Sequence, residues 1–167
     1  MGRAADEDRF RAAFVELWPM ARRAAARLVG DGAPADDVAA EALARTFARW
    51  KRLESLPYLH AWVLRTTANL ALDAVRRRHP HMPVRLLPAA DDAVADRLAL
   101  VAALRELPAR QREVVVLRYV GDYSEADVAA MLGIAPGSVR SHMQRGLEAL
   151  RCHLGARFGE EGAQLVL

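Results

Sequence analysis

The chain has a single cysteine and lacks membrane-length apolar runs and secretory features, and each of these properties excludes a class of protein. The single cysteine, Cys152, allows no internal disulfide framework and no zinc site built on cysteines, and we expect it to pack inertly. No run of about eighteen uncharged apolar residues occurs, so we expect no membrane insertion. The short acidic N-terminus is unlike a secretory signal, and we therefore expect a cytoplasmic protein.

Signatures of catalysis are also lacking. The sequence offers no nucleophile with a paired base, no glycine-rich phosphate loop and no cluster of residues at metal-ligand spacing. The adjacent carboxylates of Asp36 and Asp37 project about 100° apart on a helix, so they cannot converge on one reacting atom. We therefore expect a protein that is not an enzyme and that uses no cofactor and no metal.

Alanine, leucine and arginine are abundant instead, a composition that favours helices. With 53% apolar and 27% charged residues among 167, the chain can bury a core and does not resemble a disordered protein. Pro80, Pro83 and Pro88 interrupt the helical pattern. The sequence thus predicts an all-α fold with two small helical domains, residues 1–80 and 97–155, joined by a proline-containing linker at 81–96 and followed by a tail at 156–167.

Apolar periodicity predicts the helices within each domain. In the first domain they cover about 8–29, 35–53 and 58–78, and in the second domain about 93–106 and 109–120. Phe14 and Phe47 fall on apolar faces and are therefore predicted to lie in the core, as is Trp50. Positive charge is densest in Arg76-Arg77-Arg78, at the end of the third helix.

The most informative pattern lies between residues 124 and 154. Two apolar-periodic runs are separated by Gly133, where a helix can end because glycine reaches positive φ without strain. The second run has the spacing of one buried helix face: Val139, Met143, Leu147, Leu150 and Leu154. With the small residue Ala129 four positions before Gly133, this pattern predicts a helix-turn-helix whose second helix enters the DNA major groove. An ordinary helical hairpin is the alternative.

The remaining faces of that second helix carry side chains that can hydrogen-bond to bases or phosphates. They are Ser138, Arg140, Ser141, His142, Gln144 and Arg145. In the first domain, Tyr58 and Trp62 lie near a break between helices, and the basic helix end follows. Aromatic rings beside positive charge suit bases removed from the stack, although a core position is the favoured interpretation for Trp62.

The order of these motifs resembles one family. The segment Asp36-Asp37-Val38-Ala39-Ala40-Glu41, followed by Ala61–Arg65 and Asn69–Arg78, resembles region 2 of bacterial sigma factors. Leu107-Pro108, Gln111–Val114 and the helix-turn-helix resemble region 4. With no region 3 between them, residues 8–154 resemble an extracytoplasmic-function (ECF) sigma factor of the sigma-70 superfamily. The resemblance implies a protein that directs core RNA polymerase to specific promoters and assists melting of the −10 element.

The resemblance also implies partners and contact residues. Region 2 of the family docks on the β′ clamp helices of the polymerase, which here implies Asp36, Asp37, Glu41, Arg45 and Arg49. For the −10 element, Asn69 matches an asparagine that helps to capture a flipped base, and Arg76, Arg77 and Arg78 match the basic end of the helix that reads this element. Tyr58, Trp62 and Asp73 complete the expected −10 contacts. Arg118 matches a −35 phosphate contact, and Ser138, Arg140, Ser141 and Arg145 match the groove-facing positions of the −35 helix. His142 stands where the family often has arginine, and Gln144 is a further candidate. The β flap and an anti-sigma factor are further implied partners.

Two other functions remain open from the sequence. A stand-alone helix-turn-helix regulator, similar to a response regulator, would use the second domain for DNA and the first for dimerisation or sensing. A pure protein-interaction module would use its helices only to hold a partner and would have no affinity for DNA.

Overall fold

The computed structural model describes residues 2–78 and 92–162, and these residues are helical with no strand among them. The helices are α1 (Gly2–Val29), α2 (Ala33–Phe47), α3 (Trp50–Leu53), α4 (Leu59–Arg78), α5 (Asp92–Glu106), α6 (Ala109–Val115), α7 (Glu125–Leu132) and α8 (Pro136–Gly162). A π-helical turn, Val116–Val120, lies between α6 and α7. The all-α fold class is confirmed. None of the described helices combines the length and apolarity needed to cross a bilayer.

Residue contacts divide the chain into two compact units, Met1–Ala71 and Leu72–Leu167. The division falls inside α4, before the boundary at residue 80 that the sequence suggests, so the exact domain limits remain a prediction. The predicted linker at 81–96 overlaps α5, because α5 already begins at Asp92. An acidic first residue favours that start through the helix dipole. The other linker residues up to 91 lie outside the described residues.

The first unit is built on α1 and α2, which pack together across a turn at Gly30–Gly32. Gly30 and Gly32 have φ values of 88° and 91°, a left-handed region in which a Cβ would be strained. The buried cluster takes Leu17 and Ala21 from α1, Ala39 and Leu43 from α2 and Val63 from α4. The alanines at these contacts let the helix backbones approach closely.

Arg22, on α1, forms ion pairs with Asp31 in the α1–α2 turn and with Asp36 in the first turn of α2. Its Nε lies 2.7 Å from Oδ1 of Asp36, and its Nη2 lies 2.7 Å from Oδ1 of Asp31. Asp31 also accepts a 2.9 Å hydrogen bond from the backbone N–H of Gly32. This backbone bond, together with the charge of Arg22, lowers the pKa of Asp31 below its usual value. The ion pair between Arg22 and Asp31 therefore stabilises a turn whose positive φ values require glycine.

The sequence-based expectation of one helix through residue 53 was wrong, because α2 ends at Phe47. The hydroxyl of Thr46 donates to the carbonyl oxygen of Ala42 at 2.8 Å, a bond that loosens the helical ladder. The N–H of Arg49 then bonds to the Thr46 carbonyl at 3.1 Å, three residues back. The chain turns there and restarts as α3, which places Trp50 and Leu53 in the core, each 5% exposed.

In the second unit, α5, α6 and α7 each pack on α8. Val114, Val115, Val116 and Leu117 are buried, as are Val139, Leu150 and Leu154 on α8. Gly146 lies where α8 passes α6: a Cβ built on it would come within 2.9 Å of Cγ2 of Val115. The helix predicted over 109–120 stays α-helical only to Val115. α8 continues to Gly162, so residues 156–162 of the predicted tail are helical, and the tail itself remains a prediction.

Candidate nucleic-acid interface

The helix-turn-helix is formed by α7, the turn at Gly133 and α8. Ser124 caps α7: its Oγ accepts from the N–H of Asp127 at 3.1 Å, and the Asp127 carboxylate accepts from the Ser124 N–H at 3.2 Å. Gly133 closes the helix in the left-handed conformation, with φ 63° and ψ 38°. The N–H of Ile134 bonds back to the carbonyl oxygen of Ala129 at 3.0 Å. The motif is therefore a folded unit with both ends of α7 satisfied.

Four of the predicted side chains of α8 form one exposed face: Arg140, Ser141, Gln144 and Arg145. Their spacing of one, four and five residues places them along a single side of the helix. Ser138 and His142 are half-buried instead. The Nδ1 atom of His142 is buried and has no hydrogen-bond partner among the described residues. His142 is thus less available to DNA than its neighbours.

Arg140 is exposed, and its guanidinium is paired with a carboxylate of the preceding helix. Its Nη2 lies 3.1 Å from Oε1 of Glu125, the first residue of α7. The Ser141 hydroxyl donates to the carbonyl oxygen of Gly137 at 2.9 Å. Sequence reasoning missed Glu125, because a contact between the two helices of the motif depends on their packing.

Arg118 lies in the π-helical turn and is half-buried. Its Nη1 donates to the carbonyl oxygen of Tyr123, which stands just before the cap of α7. Its Nε is buried and has no partner in the described part of the chain. Tyr123 is itself partly buried, and desolvation, together with the nearby Asp127 carboxylate, raises the pKa of Tyr123. In this geometry Arg118 fastens the loop between the π-helical turn and α7.

Most of the predicted −10 residues lie on α4. Asn69, Asp73 and Arg76 occupy positions i, i+4 and i+7, which lie on one side of a helix. Asn69 is exposed, and Nη2 of Arg76 lies 3.4 Å from Oδ1 of Asp73. Arg76, Arg77 and Arg78 are exposed in the last turn, where positive charge is favoured by the helix dipole.

The two aromatic candidates beside this helix differ in exposure. Tyr58 precedes α4 and is 37% exposed. Trp62 is half-buried and packs against the core cluster of the first unit. Tyr58 is therefore the more accessible of the two rings.

The predicted polymerase contacts gather around α2. Asp37, Glu41 and Arg45 are exposed and lie four residues apart on one side of the helix, with Nε of Arg45 2.7 Å from Oε1 of Glu41. Asp36 is half-buried and pairs with Arg22, so it also serves the fold. Arg49 stands at the break after α2 and reaches back to the carbonyl oxygen of Arg45 at 3.4 Å.

An aromatic groove beside this face was missed by the sequence interpretation. Phe14 and Phe47, both expected in the core, are 38% and 37% exposed. They line a groove of about 530 Å³ between α1 and α2, together with Phe10, Trp18, Ala40, Leu43 and Ala44, and with Glu7 and Arg11 at its rim. The rings of Phe14 and Trp18 stack with centroids 5.5 Å apart, and those of Phe10 and Phe47 lie 4.9 Å apart. The first unit thus exposes a connected apolar surface.

Other expectations concern metals and Cys152. Among the residues with described side chains, no three histidine, cysteine, aspartate or glutamate residues come together as metal ligands would. Cys152 is exposed on α8, so the expectation that it packs inertly was wrong. It falls on the solvent side because the buried stripe of α8 runs through Leu150 and Leu154 instead.

Comparison with known proteins gives matches in both units. The family model for Sigma-70 region 2 matches residues 13–80, and that for Sigma-70, region 4 matches residues 97–150. The RNA polymerase sigma-E factor of Streptomyces coelicolor is 39% identical over 141 residues, covering 81% of this chain and 80% of that protein. The ECF RNA polymerase sigma factor SigL of Mycobacterium tuberculosis is 32% identical over 165 residues, covering 90% and 92%.

A solved structure is also similar along most of the chain. It is the sigma factor RpoE of Bartonella quintana, in a co-crystal with the anti-sigma factor NepR. The TM-score is 0.53 at 25% sequence identity, and the match covers 89% of this chain and 98% of that one. The likeness therefore extends over both units.

Proposed function

The chain belongs to the extracytoplasmic-function sigma factors of the sigma-70 family, and from this premise we propose which of its surfaces contacts each promoter element and which contacts the polymerase. The family directs core RNA polymerase to promoters, and matches in both units favour this function over a stand-alone regulator. We assign the exposed face of α8 to the −35 element, α4 to the −10 element and the α2 face to the polymerase. The protein contributes no catalytic group of its own and acts in the cytoplasm, where the polymerase works.

The observation that carries the proposal is the exposed face of α8. A helix-turn-helix presents its second helix to the major groove, and α8 offers two arginines and two neutral hydrogen-bonding side chains on its exposed side. Arginine reads guanine through O6 and N7, whereas serine and glutamine bond to several base edges or phosphates. Arg140 and Arg145 thus supply both charge and base contacts to this face.

The −10 assignment rests on the distribution of groups along α4. Exposed Asn69 carries an amide that can pair with the edge of a base, and Tyr58 offers a ring on which a base can stack. The three arginines at the end of the helix provide phosphate contacts that anchor the strand. Melting is assisted because a base held by these groups is removed from its duplex partner.

Docking on the β′ clamp helices is assigned to α2 and the adjoining aromatic groove. The exposed apolar rings of Phe14 and Phe47 flank a side of α2 that also carries Asp37 and Glu41. An apolar patch with charged residues at its rim is typical of a protein-binding surface. The β flap is assigned to the second unit only through the family resemblance. An anti-sigma factor, as in the Bartonella quintana complex, is a further proposed partner.

Reconstituted transcription tests the proposal. The full chain is mixed with purified core RNA polymerase, and run-off transcripts are mapped on a library of genomic fragments. We expect initiation at discrete start sites that share two sequence elements. Core polymerase alone is the control, and a lack of stimulated initiation on any fragment would overturn the proposal.

A further inference from the structure

Glu125 lies beside the exposed face of α8 that we assign to the −35 element, and it contacts Arg140 on that face. The carboxylate Oε1 is 3.1 Å from Nη2 of Arg140, so the pair joins the two helices of the motif. The Glu125 side chain is 27% exposed, whereas that of Arg140 is 72% exposed. The carboxylate is therefore the sheltered partner, and the guanidinium faces outward.

The backbone that carries Glu125 is well anchored. Ser124, directly before it, is the helix cap, and its reciprocal bonds with Asp127 fix the first turn of α7. A carboxylate in that turn is also favoured by the helix dipole. Arg140, by contrast, has a long side chain that is mostly exposed and therefore less restricted by its surroundings. Glu125 thus restricts the orientation of the Arg140 guanidinium, rather than the reverse.

A guanidinium can serve a carboxylate and a base at once. It carries five N–H donors in a planar fork, and the contact with Glu125 engages one terminal nitrogen. The remaining donors stay available for the edge of a base. Holding one end of the fork limits the orientations of the other end, which lowers the entropy lost when a base is bound.

We propose that Glu125 is a positioning residue for −35 recognition, which holds Arg140 in the orientation that reads a base edge. This inference rests on the proposed function of α8. The carboxylate has two opposing effects, because its negative charge also repels the phosphates of every DNA sequence. Glu125 therefore lowers affinity in general and raises discrimination at the single base pair that Arg140 contacts.

The two effects are separated by binding measurements on holoenzyme assembled from the full chain. Promoter fragments differ only in the −35 element, each carrying one substituted base pair, and dissociation constants are measured at several salt concentrations. We expect Glu125→Gln to bind all fragments about twofold to threefold more tightly. It should reduce discrimination about fivefold at one base pair, the same one at which Arg140→Ala loses discrimination.

Glu148→Gln is the matched control. Glu148 is exposed on α8, eight residues from Arg140, so the variant removes the same charge about 12 Å farther along the helix. It should leave discrimination at every base pair unchanged. In an Arg140→Ala background, Glu125→Gln should also have no further effect on discrimination, because the group that it positions is gone.

Three outcomes would overturn the inference. Glu125→Gln could keep the full discrimination that Arg140→Ala loses, which would leave the −35 assignment of α8 intact. Discrimination could fall at many base pairs together with a lower melting temperature, which would mark a structural role. If Arg140→Ala and the other α8 variants changed no base preference at all, the proposed function of α8 would fail as well.

Discussion

Gly146→Ala should destabilise the second unit, although alanine is the better helix former. The new Cβ would lie 2.9 Å from Cγ2 of Val115, 3.5 Å from Cβ of Gln111 and 3.6 Å from the Gln111 carbonyl oxygen. Val115 is 2% exposed, and a β-branched side chain in a helix has one strongly preferred rotamer, so α6 and α8 must separate. Overpacking of this kind costs about 1–3 kcal/mol.

The gain in helix propensity offsets part of that cost. Replacing glycine by alanine inside a helix is worth about 1 kcal/mol, which leaves a net loss of about 1 kcal/mol for Gly146→Ala. Gly155→Ala is the matched control on the same helix, because a Cβ on Gly155 meets nothing within 4 Å. It should stabilise the unit by about 0.5–1 kcal/mol.

Hydrogen exchange of the α6 and α8 amides in the full chain measures this difference. The three tryptophans, Trp18, Trp50 and Trp62, all lie in the first unit, so urea unfolding followed by tryptophan fluorescence should be unchanged in both variants. Equal stabilisation by the two alanines would refute the close approach of α8 to α6.

Two further predictions concern the first unit. Above pH 4 we expect Asp31→Asn to lower the urea midpoint. The lowered pKa of Asp31 means that its charged carboxylate interacts favourably with Gly32 and Arg22 in the folded state, and this stabilisation is lost when the carboxylate is protonated. That difference from the unchanged protein should shrink as the pH falls below the unfolded-state value of 3.8, and a pH-independent difference would contradict the reasoning. Ala44→Glu places a charge at the edge of the aromatic groove and should weaken binding to core polymerase at least about tenfold. Ala12→Glu, at an exposed position of α1 that does not line the groove, should bind normally, and equal binding by both variants would exclude the groove as the docking site.

The helix-turn-helix could be predicted from sequence because its determinants are local. The pattern of residues 124–154 predicts the left-handed turn at Gly133 and the buried positions Val139, Leu150 and Leu154, all within 31 residues. Each follows from the conformational preference of one residue type or from helical periodicity. The structure confirms these features.

Features that depend on contacts between elements could not be predicted in this way. Periodicity placed Phe14 and Phe47 on apolar helix faces. It could not show that the neighbouring helices cover only part of those faces and leave both rings exposed. Similarly, the break after α2 depends on a hydroxyl bond of Thr46 and on the burial of Trp50. The bond from Arg118 to the Tyr123 carbonyl depends on the path of a loop.

Photo-crosslinking on one promoter tests most directly whether the two units read two elements together. Holoenzyme is assembled with a photo-crosslinking amino acid in place of Asn69 on α4 or Ser141 on α8, and the crosslinked nucleotides are mapped in complexes that initiate transcription. We expect position 141 to crosslink in the −35 element and position 69 to crosslink about two helical turns downstream, on the order of 68 Å away. Crosslinks from both positions to the same stretch of DNA, or from only one of them in complexes that initiate, would contradict the assignment of α4 to the −10 element and of α8 to the −35 element.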